Sequence, residues 1–163
     1  MNRLEPATAR VRLRFSHCQR IEAAPSDIFP LLCPVREYDW IPDWDCRMVY
    51  STSGLAEPGC IFQTDRPADG GLDTWLVSRH EPPSHIGFVR MNPLRAIQYD
   101  IDLTPASESV TVLRWEQVIT ALTAAGDSHV AQLEEAAFVR SIARLEALLN
   151  RYLEAASAVE TAD

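Results

Sequence analysis

The stretch "DSHVAQLEEAAFVRSIARLEALLNRYLEAA", residues 127–156, decides the fold. It sets Leu133, Ala137, Phe138, Ile142, Leu145, Leu148, Leu149 and Tyr152 near helical spacing, so a long helix carries one apolar stripe that something must cover. About 25 residues at a 1.5 Å rise make a rod of about 38 Å. Glu134 and Glu135 fall in its first turns, where they complement the helix dipole. Glu134, one turn before Phe138, can reach whatever Phe138 faces. Beyond residue 157 the tail is polar and is expected to fray.

Before Gly126 the period is that of strands. In residues 10–23, "RVRLRFSHCQRIEA", Val11, Leu13, Phe15, His17, Gln19 and Ile21 share one face and the charged residues the other, which reads as a half-buried strand whose inner face turns polar at His17 and Gln19. "APSDIFPLLCP" follows as a short helix that Ser26 or Asp27 can cap and Pro34 closes. Six further strands are read at "DCRMVYS", "CIFQTD", "TWLVSRHE", "HIGFVRM", "AIQYDIDL" and "VTVLRWEQVITALT", separated by Gly- and Pro-containing turns. In the last, Leu113, Trp115 and Gln117 face in, and Arg114 and Glu116 form an outer pair. Short connections favour antiparallel neighbours. The sheet then needs cover, and the C-terminal helix is the long element available. The expected fold is α+β: seven curved antiparallel strands, with two short helices after strand 1, wrapped around one long helix. A curved sheet gripping a single helix leaves a cavity between them.

At 163 residues the chain is read as one domain, 1–163, with a core from about 10 to 155. The net charge of −8 argues against nucleic acid as a partner. All 15 basic residues are arginine, which excludes a Schiff-base lysine and a phosphate-loop lysine. The four cysteines, at 18, 33, 46 and 60, have no zinc-finger spacing, so no metal site is expected. The N-terminus shows no apolar signal core and no run reaches membrane-helix length; a cytoplasmic protein with free thiols and no membrane insertion is expected. No motif implies a cofactor.

The segments "IEAAPSDIFPLLCP" (21–34) and "REYDWIPDWDCRMVYSTSGLAEPGCIF" (36–62), with the terminal helix, resemble the START and polyketide-cyclase superfamily (SRPBCC), whose helix-grip fold is shared with the birch-pollen allergen. The resemblance covers about residues 10 to 155. It implies the helix-grip fold and leaves function open among ligand carriers, cyclases and chaperone-ATPase activators. In such folds the short helices and nearby hairpin tips frame the cavity opening.

Within "REYDWIPDWDC" (36–46), one of Trp40 and Trp44 is expected in the core and the other in the cavity wall. Glu37, Asp39, Asp43 and Asp45 read as a solvated face, since a carboxylate needs a special environment before it does acid–base work. The lining candidates are Phe15, His17, Trp40, Trp44, Phe62, Trp75, Arg90, Tyr99, Trp115 and Phe138. Among them His17 is the best candidate for proton transfer, and Arg90, sharing its face with Phe88, should be buried against a carboxylate of protein or ligand. The expected function is binding of a small apolar or aromatic ligand between sheet and helix. The alternatives are a cyclase or dehydratase using an inward acid–base group, and a protein-interaction module with a filled interior. The open sheet edges also permit a homodimer.

Overall fold

The computed structural model describes residues 9–160. Strand β1 (Arg12–Ile21) leads into helix α1 (Pro25–Ile28) and two 3-10 turns, Phe29–Leu32 and Glu37–Asp39. Strands β2 (Arg47–Tyr50), β3 (Ile61–Arg66), β4 (Gly71–Glu81), β5 (His85–Met91), β6 (Arg95–Ser107) and β7 (Val110–Ala121) follow, with a 3-10 turn at Pro67–Asp69. Helices α2 (Ala124–Val130) and α3 (Glu135–Glu160) complete the described chain. All neighbouring strands are antiparallel, in the order β1-β7-β6-β5-β4-β3-β2. The meander from β2 to β7 follows from the short turns, and β1 closes onto β7.

Alternation sets the two faces. On β6, Arg95, Ile97, Tyr99, Ile101 and Leu103 are buried; on β4, Asp73, Trp75 and Val77. Leu113 and Trp115 point inward on β7, and Arg114 bonds Glu116 on the outer face. Across the concave face α3 lays Phe138, Ile142 and Leu149, all buried. It also reaches the free edge of β1. Glu146 Oε2 accepts from Arg20 N at 3.0 Å, Asn150 Oδ1 accepts from Glu22 N at 2.9 Å, and Asn150 Nδ2 donates to the Arg20 carbonyl at 3.0 Å. At the other end of β1, Val11 N donates to Asp127 Oδ1 at 2.8 Å. These side chains occupy backbone groups that an edge strand otherwise offers to another strand.

Three local expectations are corrected. Neither Ser26 nor Asp27 caps α1: the helix starts at Pro25, and Ala24 stands at its N-cap without a side-chain bond, because proline needs no amide partner in a first turn. The C-terminal helical stretch is broken. Thr123 caps α2 by accepting from Gly126 N at 3.1 Å, the chain turns at 131–134, and α3 begins at Glu135, so Glu134 precedes the helix. Gly126 lets α2 seat backbone to backbone on the β5–β6 turn, since a Cβ there would lie 2.0 Å from the Leu94 carbonyl oxygen. Finally, α3 runs to Glu160 rather than fraying at 157. The expected domain ends, 1–8 and 161–163, lie outside the described residues. No helix among those described is long and apolar enough to cross a membrane.

Candidate functional site

Strand register brings distant residues into rows on the concave face. Phe15, Gln117, Tyr99 and Phe88 form one row across β1, β7, β6 and β5. Two residues along, Ile119, Ile97, Arg90, Trp75 and Phe62 form the next, across β7 to β3. Between these rows and α3 lies a cavity of about 300 Å³. Its wall is a chain of rings in mutual contact. Phe62 stacks on Trp75 at 5.3 Å, Phe88 meets Trp75 edge-on at 5.8 Å, and Tyr99 lies 5.7 Å from Trp115. From the helix side, Phe138 faces Phe15 at 6.0 Å.

Of the ten candidates read from sequence, Phe15, Trp44, Phe62, Trp75, Arg90, Tyr99, Trp115 and Phe138 line this cavity. His17 and Trp40 do not. His17 is half-buried on β1, between Phe15, which packs on Phe138, and Gln19, whose Nε2 donates to the Ile142 carbonyl at 2.7 Å. Helix α3 holds both of its flanking neighbours, so the alternation that turns His17 inward does not bring it into the cavity. Trp40 is core, 5 % exposed, with its indole donating to the Leu31 carbonyl at 2.9 Å. Trp44 is the wall residue. Its indole donates to the Pro34 carbonyl at 2.8 Å, and the Arg66 guanidinium lies 5.7 Å from its ring.

The four carboxylates around these tryptophans separate cleanly. Asp39 pairs with Arg36 at 2.7 Å, Asp43 with Arg144 at 2.6 Å, and Asp45 accepts from the Tyr38 hydroxyl at 3.1 Å. Glu37 instead lines the cavity. Among the described residues its carboxyl takes no hydrogen bond and no ion pair. Burial pushes it up from the ordinary 4.5 to about 8, against the opposing charge of Arg66, so the neutral acid is its form at neutral pH. Burial likewise raises the Tyr99 phenol, against the nearby Arg90 charge and a hydrogen bond with Gln117. Among the described residues the Trp115 indole N–H has no partner, although Trp115 is 3 % exposed. A buried donor left unmatched costs about 1–3 kcal/mol.

Arg90 finds its carboxylate inside the protein. Its Nε donates to Asp73 Oδ2 at 2.9 Å and its Nη2 to Asp69 Oδ2 at 3.0 Å, while the guanidinium lies 4.5 Å from the Trp75 ring. Arg95 Nη1 donates to the other Asp73 oxygen at 2.9 Å. Burial alone would raise Asp73, but the Arg95 hydrogen bond and the Arg90 charge outweigh it and hold the carboxyl below its ordinary range. Arg90 is therefore held by two carboxylates before any ligand arrives. Asp73 and Arg95 were legible by parity, Asp73 sharing a face with Trp75 and Arg95 with Ile97. Nothing in the sequence singles out Glu37 from its three acidic neighbours, because what separates them is which one finds a hydrogen-bonding partner in the fold.

No family model matches the chain, and no curated protein matches it in sequence at a significant level. Solved structures do. Truncated norcoclaurine synthase from Thalictrum flavum superposes with a TM-score of 0.69 at 12 % identity, over 91 % of this chain and 98 % of that one. Mll3558 from Rhizobium loti gives 0.63 at 15 % identity, over 89 % and 99 %. The fold is Bet v1-like. DynU16, a protein in the dynemicin biosynthetic locus, shares this Bet v1-like fold with a TM-score of 0.55 at 21 % identity, over 86 % of this chain and 47 % of DynU16. At these identities the likeness is one of fold.

Proposed function

We propose that this protein binds a small aromatic molecule in the cavity between its sheet and α3. The observation that carries the reading is the 300 Å³ cavity walled by rings of Phe15, Phe62, Trp75, Phe88, Tyr99, Trp115 and Phe138. That volume is at the lower end of the range for small-molecule sites, and offset or edge-on packing against such rings adds to simple area burial. A norcoclaurine synthase structure of the same fold holds dopamine and hydroxybenzaldehyde, which supports aromatic occupancy without identifying the ligand here. A filled interior, as an interaction module would need, fits the cavity poorly.

A second reading, proton-transfer catalysis of the cyclase or dehydratase kind, is favoured by one observation. Glu37 is a cavity-lining acid with a raised pKa, in the range that suits a general acid at neutral pH. His17, outside the cavity, is the weaker candidate for that role.

Native mass spectrometry of the purified protein, followed by denaturing extraction, tests binding directly. A co-purified aromatic compound, or a rise in Tm across a panel of aromatic compounds, is the expected result. A clean apo mass with no thermal shift across that panel would overturn it. Turnover of any extracted compound, abolished by Glu37→Gln, would favour catalysis.

A further inference from the structure

Apart from the His129 imidazole and the Arg66 guanidinium, two groups in the cavity wall that can donate a hydrogen bond meet no acceptor among the described residues. One is the buried Trp115 indole N–H. The other is the carboxyl of Glu37, which lines the same cavity and is neutral at neutral pH. Of the other polar groups in the wall, Trp75 Nε1 donates to Thr64 Oγ1 at 2.9 Å, Arg90 and Arg95 are held by Asp69 and Asp73, and Tyr99 bonds Gln117, whereas His129 Nε2 is a further buried atom without a partner and Arg66 forms no ion pair among the described residues. A wall with two spare donors is complementary to an acceptor.

We infer that the ligand is an aromatic compound bearing a carbonyl or similar acceptor oxygen, and that the Trp115 indole and the Glu37 carboxyl, both unpartnered in the cavity wall, are the groups that fix it. This rests on the binding reading above and specifies its ligand class. An ammonium ligand would have to displace Arg66 as the charge that favours ionised Glu37, in a cavity also lined by Arg90, Arg95 and Arg144. The titratable and charged groups around Glu37 come from several elements, His129 of α2 and Cys46 of the loop before β2 among them. Arg66 comes from the end of β3; Asp43 and Asp45 from the following loop, the one held by Arg144 and the other by Tyr38; Glu134 and Arg144 from the helix side; Asp69, Arg90 and Tyr99 from the sheet side. None bonds the Glu37 carboxyl. Binding that needs the acid form takes its proton dependence from Glu37, so affinity holds below its pKa and falls above it.

Equilibrium dialysis with 2-acetylnaphthalene and 2-ethylnaphthalene, the same ring system without oxygen, between pH 6 and 10 tests this. The ketone, which does not titrate, is expected to bind about five- to tenfold tighter at pH 6–7. Its Kd should climb above about pH 8 until that advantage is lost, while the Kd of the hydrocarbon stays level. Glu37→Gln, which keeps a donor and cannot ionise, should flatten the profile and keep the preference for the ketone. Trp115→Phe should weaken the preference and leave the pH profile intact. Equal affinities of the two compounds, or a profile that Glu37→Gln leaves unchanged, would overturn the inference while the cavity reading stands. Binding of neither compound at any pH, by folded protein, would overturn the cavity reading itself.

Discussion

At the scale of single residues the cavity carries two opposite electrostatic bargains. Glu37 is a carboxyl whose folded pKa is raised, so the stability it contributes is present below about 4.5 and is lost as pH rises toward about 8. Glu37→Gln removes that loss. Chemical denaturation should show the variant and the parent alike near pH 4, with the variant gaining on the parent by at most about 1.4 kcal/mol per pH unit through the window. Asp73 has the reverse sign. Its pKa is depressed, so its contribution is present above the ordinary carboxylate range and fades as pH falls through the lowered value. Asp73→Asn leaves Arg95, 2 % exposed, and Arg90 without their shared charge. A loss of about 3–5 kcal/mol is expected, together with a shallower acid-unfolding limb. Both residues illustrate what a sequence discloses. Parity alone places Asp73 inside, beside Trp75, whereas the isolation of Glu37 depends on where Arg36, Tyr38 and Arg144 reach, which no local pattern encodes.

At the scale of elements, strands were the most legible part, because period-2 alternation in β1, β6 and β7 names their buried faces. The helices were less so. Apolar spacing continues from Val130 through Leu133 into α3, and it conceals both the break at 131–134 and a tertiary contact that seats α2, the close approach of Gly126 to Leu94. A methyl group there has nowhere to go, since the obstacle is backbone. Gly126→Ala is therefore expected to destabilise the protein by about 2–4 kcal/mol despite the higher helix propensity of alanine. Thermal unfolding measures this, and a neutral or stabilising result would contradict the close approach. The same consideration separates Trp40 from Trp44: both indoles bond carbonyls, Trp40 buried and Trp44 partly so, and only the packing of the 3-10 turn at Glu37–Asp39 against the cavity tells core from wall.

For the whole molecule, the sheet and α3 are joined differently along their length. On the β1 side the helix is bonded to the strand edge through Glu146 and Asn150. Beside the cavity an ion pair joins the loop before β2 to the helix, Asp43 with Arg144, whose two side chains are 61 % and 50 % exposed. One partner belongs to the loop that carries Trp44, and the other is a lining residue of α3. So exposed a pair adds little to stability, and added salt screens it. Its consequence is kinetic: it is a weak clasp across the rim, and the residence time of a bound molecule becomes a function of ionic strength. Stopped-flow displacement of 2-acetylnaphthalene should give an off-rate that rises between low and high salt, and that becomes independent of salt in Arg144→Gln.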